Sequence, residues 1–385
     1  MLEHDLIQLI HNHAQAPASQ IRRQPALWRE VAALYRDATE DVNDLIGRAR
    51  AAAGVMGGDE AQDGIDGQLL VVLTGSDLAL NAAQAACNAA VAQPIKGCDF
   101  TCVSCADLAS APADYVRDQE TVLLVALSRG DDEDLLSAVV QVRSQTKNLF
   151  VLGVTCSSDD PLATALAPED DGLVVALPLV ASAADDASTA PVDSEPVQLA
   201  GFTCLALFAT LCLDTAPVAE KLSHANQAAA MGDKVIMDEA ALASLALSPF
   251  DALCVLSDGS AFAGVAREAR DEAKNFCGLN ERSIEVRLGD VQSAALDNKA
   301  LHDALGVALV GGTDDDRASQ VAALQEMDET AADNGCTLVA LQPEQAPHFT
   351  GRSFTFDGFA ALPCSYLGLP YLMAVQVLLL AASVK

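Results

Sequence analysis

Positive charge is scarce in this sequence. The 385 residues contain 22 lysines and arginines against 54 aspartates and glutamates, which gives a formal net charge of −32. Such a chain repels the phosphates of nucleic acids and of anionic lipids, and no basic stripe offsets the repulsion. We therefore expect neither nucleic acids nor membranes as partners. The hydrophobic share of 51% is enough to build the cores of two domains of ordinary size.

A secretory signal is missing from the first residues, MLEHDLIQLI, although the chain contains eleven cysteines. Cysteines spread through apolar segments of such a chain are expected to be reduced thiols in the cytoplasm. The apolar run at residues 367–384 is about long enough to cross a bilayer. Pro370 and Gln376 interrupt it and no basic flank precedes it, which favours a core or dimer-interface helix. The run at 201–213 is too short to cross and indicates a buried helix.

The clearest structural pattern lies at residues 121–161. The apolar run TVLLVAL is followed by the polar loop SRGDDED, a helical pattern and a second apolar run, NLFVLGVTC. This order predicts a βαβ unit with parallel strands buried on both faces. The loop after the first strand normally receives an anionic ligand, because backbone N–H groups and the helix dipole point there. Here the loop carries four carboxylates: Asp131, Asp132, Glu133 and Asp134.

Strand, turn and helix patterns recur in a similar order in both halves of the chain. They predict an α/β protein with two doubly wound domains, each a parallel sheet flanked by helices, after an N-terminal helical extension. We place the extension at residues 1–66, the first domain at 67–217 and the second at 218–385. Within the extension, Pro25 marks a predicted helix start.

Six short segments carry a resemblance that covers nearly the whole chain. They are QPALW at 24–28, LTG at 73–75, DLASAPADY at 107–115, VTCSSDDPLA at 154–163, GVARE at 264–268 and SYLGLPYLMAVQVLLL at 365–380. In this order they resemble the sugar isomerase (SIS) domain family, in particular its tagatose-6-phosphate ketose/aldose isomerase branch, also described as galactosamine-6-phosphate deaminase/isomerase. The resemblance implies two SIS domains, pairing in a homodimer or higher oligomer, and no metal or organic cofactor.

The same resemblance implies a chemistry and its residues. Enzymes of this family move a proton between C1 and C2 of a phosphorylated amino sugar or ketose with a carboxylate base, and hold the phosphate with hydroxyls in strand-end loops. Glu268 is the candidate base, and Glu272 lies one helical turn away; an exposed charged helix face is the alternative. The ligand-binding candidates are Thr74, Gly75, Ser76, Ser128 and Arg129 in the first domain, and Ser257, Gly259, Ser260 and Arg287 in the second.

The sequence departs from the family pattern where that chemistry is performed. The first loop reads TGSDLA where the family reads like TGAGTS, so Asp77–Ala79 replace a glycine and two hydroxyl residues. The family's catalytic glutamate, seven residues beyond the position of Glu268, is Asn275 here. Its RHGP motif is RLGD at 287–290, so Leu288 stands in place of the histidine that assists ring opening.

Two function classes follow from these observations. The first is a SIS enzyme of amino-sugar phosphate metabolism, an isomerase or a deaminase. The second is a non-catalytic SIS protein that senses a sugar phosphate or supports an active paralogue as a subunit, and the lost positions favour it for mechanism. A third possibility is a pocket rebuilt for a cationic or neutral ligand, which the carboxylates Asp77, Asp131, Asp132 and Asp258 would suit.

Two patterns suggest a metal site instead. Cys98, Cys102 and Cys105 have the C-x3-C-x2-C spacing of radical iron–sulfur enzymes. Cys102 falls within a predicted strand, however, and no barrel of eight strand-helix units is visible. His11 and His13 are two residues apart and do not share a helix face. We therefore predict no metal site.

Overall fold

The fold was obtained as a computed structural model. The structure describes residues 15–55, 67–118, 120–130, 132–166, 170–178, 199–246, 250–257, 262–277, 279, 283–288, 303–331, 335–344, 347 and 349–383. These residues form two compact units. The first unit contains the described part of Arg29–Leu222, and the second contains that of Met1–Trp28 and Ser223–Lys385. The domain boundaries after residues 66 and 217 stay predictions.

The first unit is built on a five-stranded parallel sheet in the order β2-β1-β3-β4-β5. Its strands are β1 (Leu69–Gly75), β2 (Cys98–Ser104), β3 (Thr121–Ser128), β4 (Asn148–Thr155) and β5 (Gly172–Ala176). All eight residues of β3 are buried. Burial on both faces explains why the central strands read as uninterrupted apolar runs.

Helices cover both faces of this sheet. In chain order they are α1 (Gln15–Ala52), α2 (Asp77–Ala92), α3 (Cys105–Ser110), α4 (Glu133–Gln145), α5 (Pro161–Leu166) and α6 (Leu199–Leu213). Leu135 and Val139 of α4 pack with Val72 and Leu124 of the sheet in one core. Helix α2 packs against β1 and α6. Every residue of α6 is buried, as expected for the run at 201–213.

The second unit repeats this plan. Its strands are β6 (Ala252–Ser257), β7 (Ile284–Arg287), β8 (Ala304–Leu309), β9 (Thr337–Pro343) and β10 (Ser353–Phe356). The order β7-β6-β8-β9-β10 reproduces that of the first sheet strand for strand, and all pairs are parallel. The predicted α/β class with two similar parallel-sheet domains is therefore confirmed.

The helices of the second half follow the same alternation. They are α7 (Val218–Met237), α8 (Glu239–Leu245), α9 (Ala263–Cys277), α10 (Asp314–Ala331) and α11 (Cys364–Ser383). Helix α11 is long and apolar enough to span a bilayer, but 89% of its most apolar window is buried within the protein. Such burial is typical of the core helix of a soluble domain.

One local prediction needs correction, and two short elements were not predicted. Helix α1 begins at Gln15, so Pro25 lies inside the helix and does not start it. A proline costs a helix one backbone hydrogen bond; here the buried neighbours Gln24 and Trp28 hold this turn in the core. Strand β7 and helix α8 were not predicted, because each is short and β7 alternates charged with apolar residues.

The close packing of α7 against α1 gives a test. A Cβ atom on Gly232 would lie 2.8 Å from the Trp28 ring and 2.9 Å from Pro25. We expect Gly232→Ala to lower the free energy of unfolding by about 1–3 kcal/mol through overpacking. The matched control is Gly47→Ala, where no atom lies within 4 Å of the added carbon; it should stabilise by about 0.5–1 kcal/mol. Equal effects of the two variants in urea unfolding would contradict this packing.

Candidate functional site

The predicted ligand-binding residues of the first unit meet at one edge of its sheet. Thr74 and Gly75 end β1, Ser76 follows them, and Ser128 and Arg129 stand at the end of the neighbouring β3. These strands are parallel, so their carboxyl ends share an edge. The backbone is crowded there: a Cβ on Gly75 would lie 2.8 Å from the carbonyl carbon of Ala79. The structure thus brings the five predicted residues to one strand-end region.

The Ser76 hydroxyl is bound to a carboxylate of the chain itself. It donates to Oδ2 of Asp132, the residue that caps α4. Asp132 Oδ1 accepts the backbone N–H of Leu135 at 3.1 Å and lies 4.0 Å from the Cys105 sulfur. Burial, and then the charges of Asp132 and Asp134, raise the pKa of the Cys105 thiol to about 11. The thiol therefore stays protonated at neutral pH and can only donate to Asp132.

The Ser128 hydroxyl is held in the same manner one strand further along. It donates to Oδ2 of Asp160 at 2.5 Å, and the Thr155 hydroxyl donates to the same oxygen at 2.6 Å. Asp160 Oδ1 accepts the backbone N–H of Leu162 at 2.8 Å. Only 2% of Asp160 is exposed. This buried carboxylate is compensated by two hydroxyls and one amide.

Both clusters place a carboxylate where a strand-end anion would bind. We call Ser76, Cys105 and Asp132 the Asp132 cluster, and Ser128, Thr155 and Asp160 the Asp160 cluster. In each, an aspartate before a helix accepts that helix's N-terminal amide and takes hydroxyl protons from strand ends. These are the donors that a bound phosphate would use. The strand-end hydroxyls of the first sheet therefore already donate to carboxyl groups of the chain.

Two neighbouring residues complete this edge. Arg129 is half-buried, and its positive charge acts on the thiol of Cys156, whose pKa burial nevertheless raises to about 12. Asp77 begins α2 with φ of 46°, in the left-handed region that glycine adopts most easily. The backbone thus keeps a conformation suited to glycine although an aspartate occupies the position.

The strand ends of the second unit are less fully described. Ser257 ends β6 and is paired in register with Arg287 of β7 and Leu309 of β8. Gly259 and Ser260 lie outside the described residues, as do His11, His13 and Asp258. The structure therefore places Ser257 and Arg287 side by side at their strand ends and leaves the loop between β6 and α9 as a prediction.

Sequence reasoning missed the loop after β8. Its carbonyl groups are held by buried side chains: Tyr371 Oη donates to Val310 at 2.7 Å, Gln320 Nε2 to Gly311 at 2.9 Å and Arg317 Nη1 to Gly312 at 2.8 Å. Gln320 Oε1 also accepts the Gly311 amide at 3.0 Å. The sequence signal was GGTDDDR directly after an apolar run, which is typical of a strand-to-helix turn. Its three aspartates obscured this turn.

The predicted base Glu268 is almost completely buried, as is Glu272. Gln24 Nε2 donates to Gln376 Oε1 at 2.6 Å, and Gln376 Nε2 donates to Glu272 Oε1 at 2.8 Å. Glu272 Oε2 has no hydrogen-bond partner among the described residues. Burial, and then the charge of Glu268, raise the pKa of Glu272 well above its ordinary value. The pair therefore lies within the helix packing of the second unit and not on an exposed helix face.

The three cysteines with iron–sulfur spacing do not converge on a metal site. Cys98 and Cys102 lie in β2, and Cys105 begins α3. Within the described part of the chain, no group of three histidine, cysteine or acidic side chains could hold a metal ion.

Comparison with solved structures identifies the fold. A tagatose-6-phosphate ketose/aldose isomerase from Escherichia coli aligns over 96% of this chain and 93% of its own, with a TM-score of 0.75 and 16% identity. A Clostridium novyi protein provisionally given the same name aligns over 100% and 92%, with a TM-score of 0.77 and 16% identity. The chain has the two-domain SIS fold. The predicted resemblance to SIS proteins is thereby confirmed.

A third SIS-fold structure is more distant. The C-terminal domain of glucosamine-fructose-6-phosphate aminotransferase from Francisella tularensis aligns over 94% of both chains, with a TM-score of 0.65 and 12% identity. No family model matches the sequence, and no curated protein sequence matches it. At such identities the comparisons establish the fold, and the activity has to be argued from the residues of this SIS-fold chain.

The Asp160 cluster gives a stability test for the strand-end hydroxyls. We expect Asp160→Asn to lower the free energy of unfolding by about 2 kcal/mol, because it removes the charge that accepts the Ser128 and Thr155 hydroxyls. The adjacent Asp159 is exposed, so Asp159→Asn is the matched control and should change stability by less than about 0.5 kcal/mol. Equal urea midpoints for the two variants would show that the buried hydrogen bonds are unimportant.

The raised pKa of Glu272 gives a second test. The folded chain keeps a proton on Glu272 that the unfolded chain releases above the ordinary pKa of glutamate. The free energy of unfolding should therefore fall as pH rises toward the folded pKa, by roughly 1 kcal/mol per pH unit.

We expect Glu272→Gln to remove the pH-dependent contribution of Glu272 to the free energy of unfolding. The stability of the variant relative to the natural chain should therefore increase between pH 5 and pH 8. Urea unfolding at several pH values measures this difference. Exposed Asp315 is the control site, and Asp315→Asn should change the free energy of unfolding by less than about 0.5 kcal/mol. A pH-independent difference between Glu272→Gln and the natural chain would show that Glu272 is ionised in the folded protein.

Proposed function

We propose that this chain binds a carbohydrate derivative without isomerising or deaminating a sugar phosphate. The carbohydrate part is supported by the SIS fold, shared over almost the full length with proteins named as tagatose-6-phosphate isomerases. A fold can host several functions, so the mechanism is argued from the residues.

One observation carries the non-catalytic part of the proposal. The Ser76 and Ser128 hydroxyls donate to Asp132 and Asp160. A phosphate at this edge would have to displace carboxylates that the chain holds in place at high effective concentration. It would then lie next to the displaced negative charges. Both effects oppose binding of a phosphate ester at the first sheet.

The residues at the family's catalytic positions also support a non-catalytic role. Asn275 lies in α9 at the position of the family's catalytic glutamate. Leu288, at the position of the histidine, packs in the core of the second unit with Leu256 and Leu338. Glu268 keeps a family position but is buried beside Glu272. A base needs a path to its substrate, and burial of this kind opposes such a role.

A sugar-phosphate isomerase or deaminase is the second candidate. The Glu268 and Glu272 pair favours it, because a carboxyl group whose pKa is raised by burial beside a second carboxyl group is a common arrangement for acid and base catalysis. Cytoplasmic location and association, as a homodimer or as the supporting subunit of an active paralogue, remain parts of our proposal. Sedimentation of the purified chain tests the homodimer.

Thermal unfolding with a panel of ligands tests the proposed function. The panel contains galactosamine-6-phosphate, glucosamine-6-phosphate and tagatose-6-phosphate, each matched to its unphosphorylated sugar. A ligand that binds only the folded state raises the midpoint by mass action. We expect a rise with at least one unphosphorylated sugar and no larger rise with its phosphate ester.

Turnover assays on the same esters distinguish the two candidates. We expect no conversion by the natural chain. Conversion that is lost in Glu268→Gln, together with a midpoint rise specific to a phosphate ester, would replace our proposal by the isomerase or deaminase. Absence of a shift with any sugar, in a protein that melts cooperatively, would contradict carbohydrate binding altogether.

A further inference from the structure

One buried hydroxyl at the edge of the first sheet has no hydrogen-bond partner among the described residues. Thr74 is 0% exposed, and its Oγ1 makes no hydrogen bond there. Buried hydroxyls in proteins nearly always bond to another protein group or to an ordered water. An unpaired hydroxyl at a strand end therefore points to a bound group.

The direction of the Thr74 side chain follows from its strand. Side chains two residues apart on a strand share a face, so Thr74 lies on the face of Val72 and Ser76. Val72 packs with Leu135 of α4, and the strand neighbours of Thr74, Val103 and Ala126, belong to the same core. Thr74 thus faces the layer of α3 and α4, the side on which Ser76 meets Asp132.

Asp132 and Thr74 on this side can accept further hydrogen bonds. Ser76, Cys105 and the Leu135 amide all donate to Asp132. A carboxylate can accept about four hydrogen bonds, and Asp132 accepts three from the described residues. The Thr74 oxygen adds two lone pairs. A group that complements this set must carry several donors.

Charge decides which donor group fits. The carboxylates of Asp132 and Asp134 both raise the pKa of the Cys105 thiol, so the cluster lies in a negative potential. The net charge of −32 extends this potential around the protein. A protonated amine satisfies both requirements, because an ammonium group offers three donors and a positive charge.

We propose that the Asp132 cluster, together with Thr74, binds the protonated primary amine of a small ligand, with Asp132 and Thr74 accepting from the ammonium group. The inference rests on the proposed carbohydrate function in that it assigns the same strand-end site a cationic ligand, such as an unphosphorylated amino sugar. Asp132 then sets the specificity: it repels a phosphate and attracts an amine.

Thermal unfolding with matched pairs of compounds tests the inference. Glucosamine is compared with glucose, and ethylammonium chloride with sodium chloride at equal ionic strength. An amine present at ten times its dissociation constant should raise the midpoint of thermal unfolding by about 3 °C. We expect glucosamine and ethylammonium to shift the natural chain, and glucose and sodium chloride to produce smaller shifts or none.

Two substitutions locate the binding. Asp132→Asn keeps an N-cap acceptor for Leu135 but removes the charge, and it should reduce amine affinity at least about tenfold. Glu133→Gln removes one charge from the exposed first turn of the same helix and should leave the affinity within about twofold. Amine binding that is equal in the two variants would overturn the proposal.

Thr74→Val separates a bound amine from an ordered water. Valine has nearly the shape of threonine and removes the unpaired oxygen. We expect this variant to melt higher than the natural chain without ligand and to lose part of the amine shift. A lower midpoint, with no amine shift in the natural chain, would mean that only a water occupies the site.

The same compounds distinguish carbohydrate binding from amine binding. Equal shifts with glucose and glucosamine would support carbohydrate binding and overturn the amine inference. A shift with ethylammonium that Asp132→Asn abolishes, without a shift from any sugar, would support the amine site and contradict the carbohydrate function.

Discussion

Helix N-termini that point toward the carboxyl edge of a parallel sheet need hydrogen-bond acceptors, and in the first unit the chain supplies them itself. Asp132 accepts from Leu135, and Asp160 accepts from Leu162. Each carboxylate also takes up strand-end hydroxyls. This arrangement holds the loops at the strand ends in place. An SIS fold can thus keep its architecture while the hydroxyls at its strand ends donate to carboxylates of the same chain.

In the second unit, buried polar side chains fix the register of the packed helices. Helix α11 is almost entirely apolar, yet Gln376 lies at its centre and is bonded to Gln24 of α1 and Glu272 of α9. Apolar helices can slide past one another at little cost, whereas a buried amide pairs well in one register only. The Gln24, Gln376 and Glu272 chain therefore specifies how three helices meet.

The fold was predictable because two-face burial has a strong sequence signature. Continuous apolar runs leave few alternatives to a buried parallel strand, and the predicted strands TVLLVAL and NLFVLGVTC are observed as β3 and β4. The site was only partly predictable. Ser76 and Ser128 were placed correctly at strand ends, but their acceptors lie 56 and 32 residues away in sequence. Periodicity gives no information about such pairs. The sequence therefore showed that the loop is acidic, but not that Asp132 in this loop accepts the Ser76 hydroxyl.

The two units also differ in the order in which their segments are synthesised. The first unit is continuous between Arg29 and Leu222, so its sheet can form while later residues are still being synthesised. The second unit needs Trp28 and the turns before it, yet the partner of Gln24 is 352 residues away. The early turns of α1 must therefore wait, with their buried face uncovered, until α11 has been made. During this delay the start of α1 is exposed to chaperones and to mispairing.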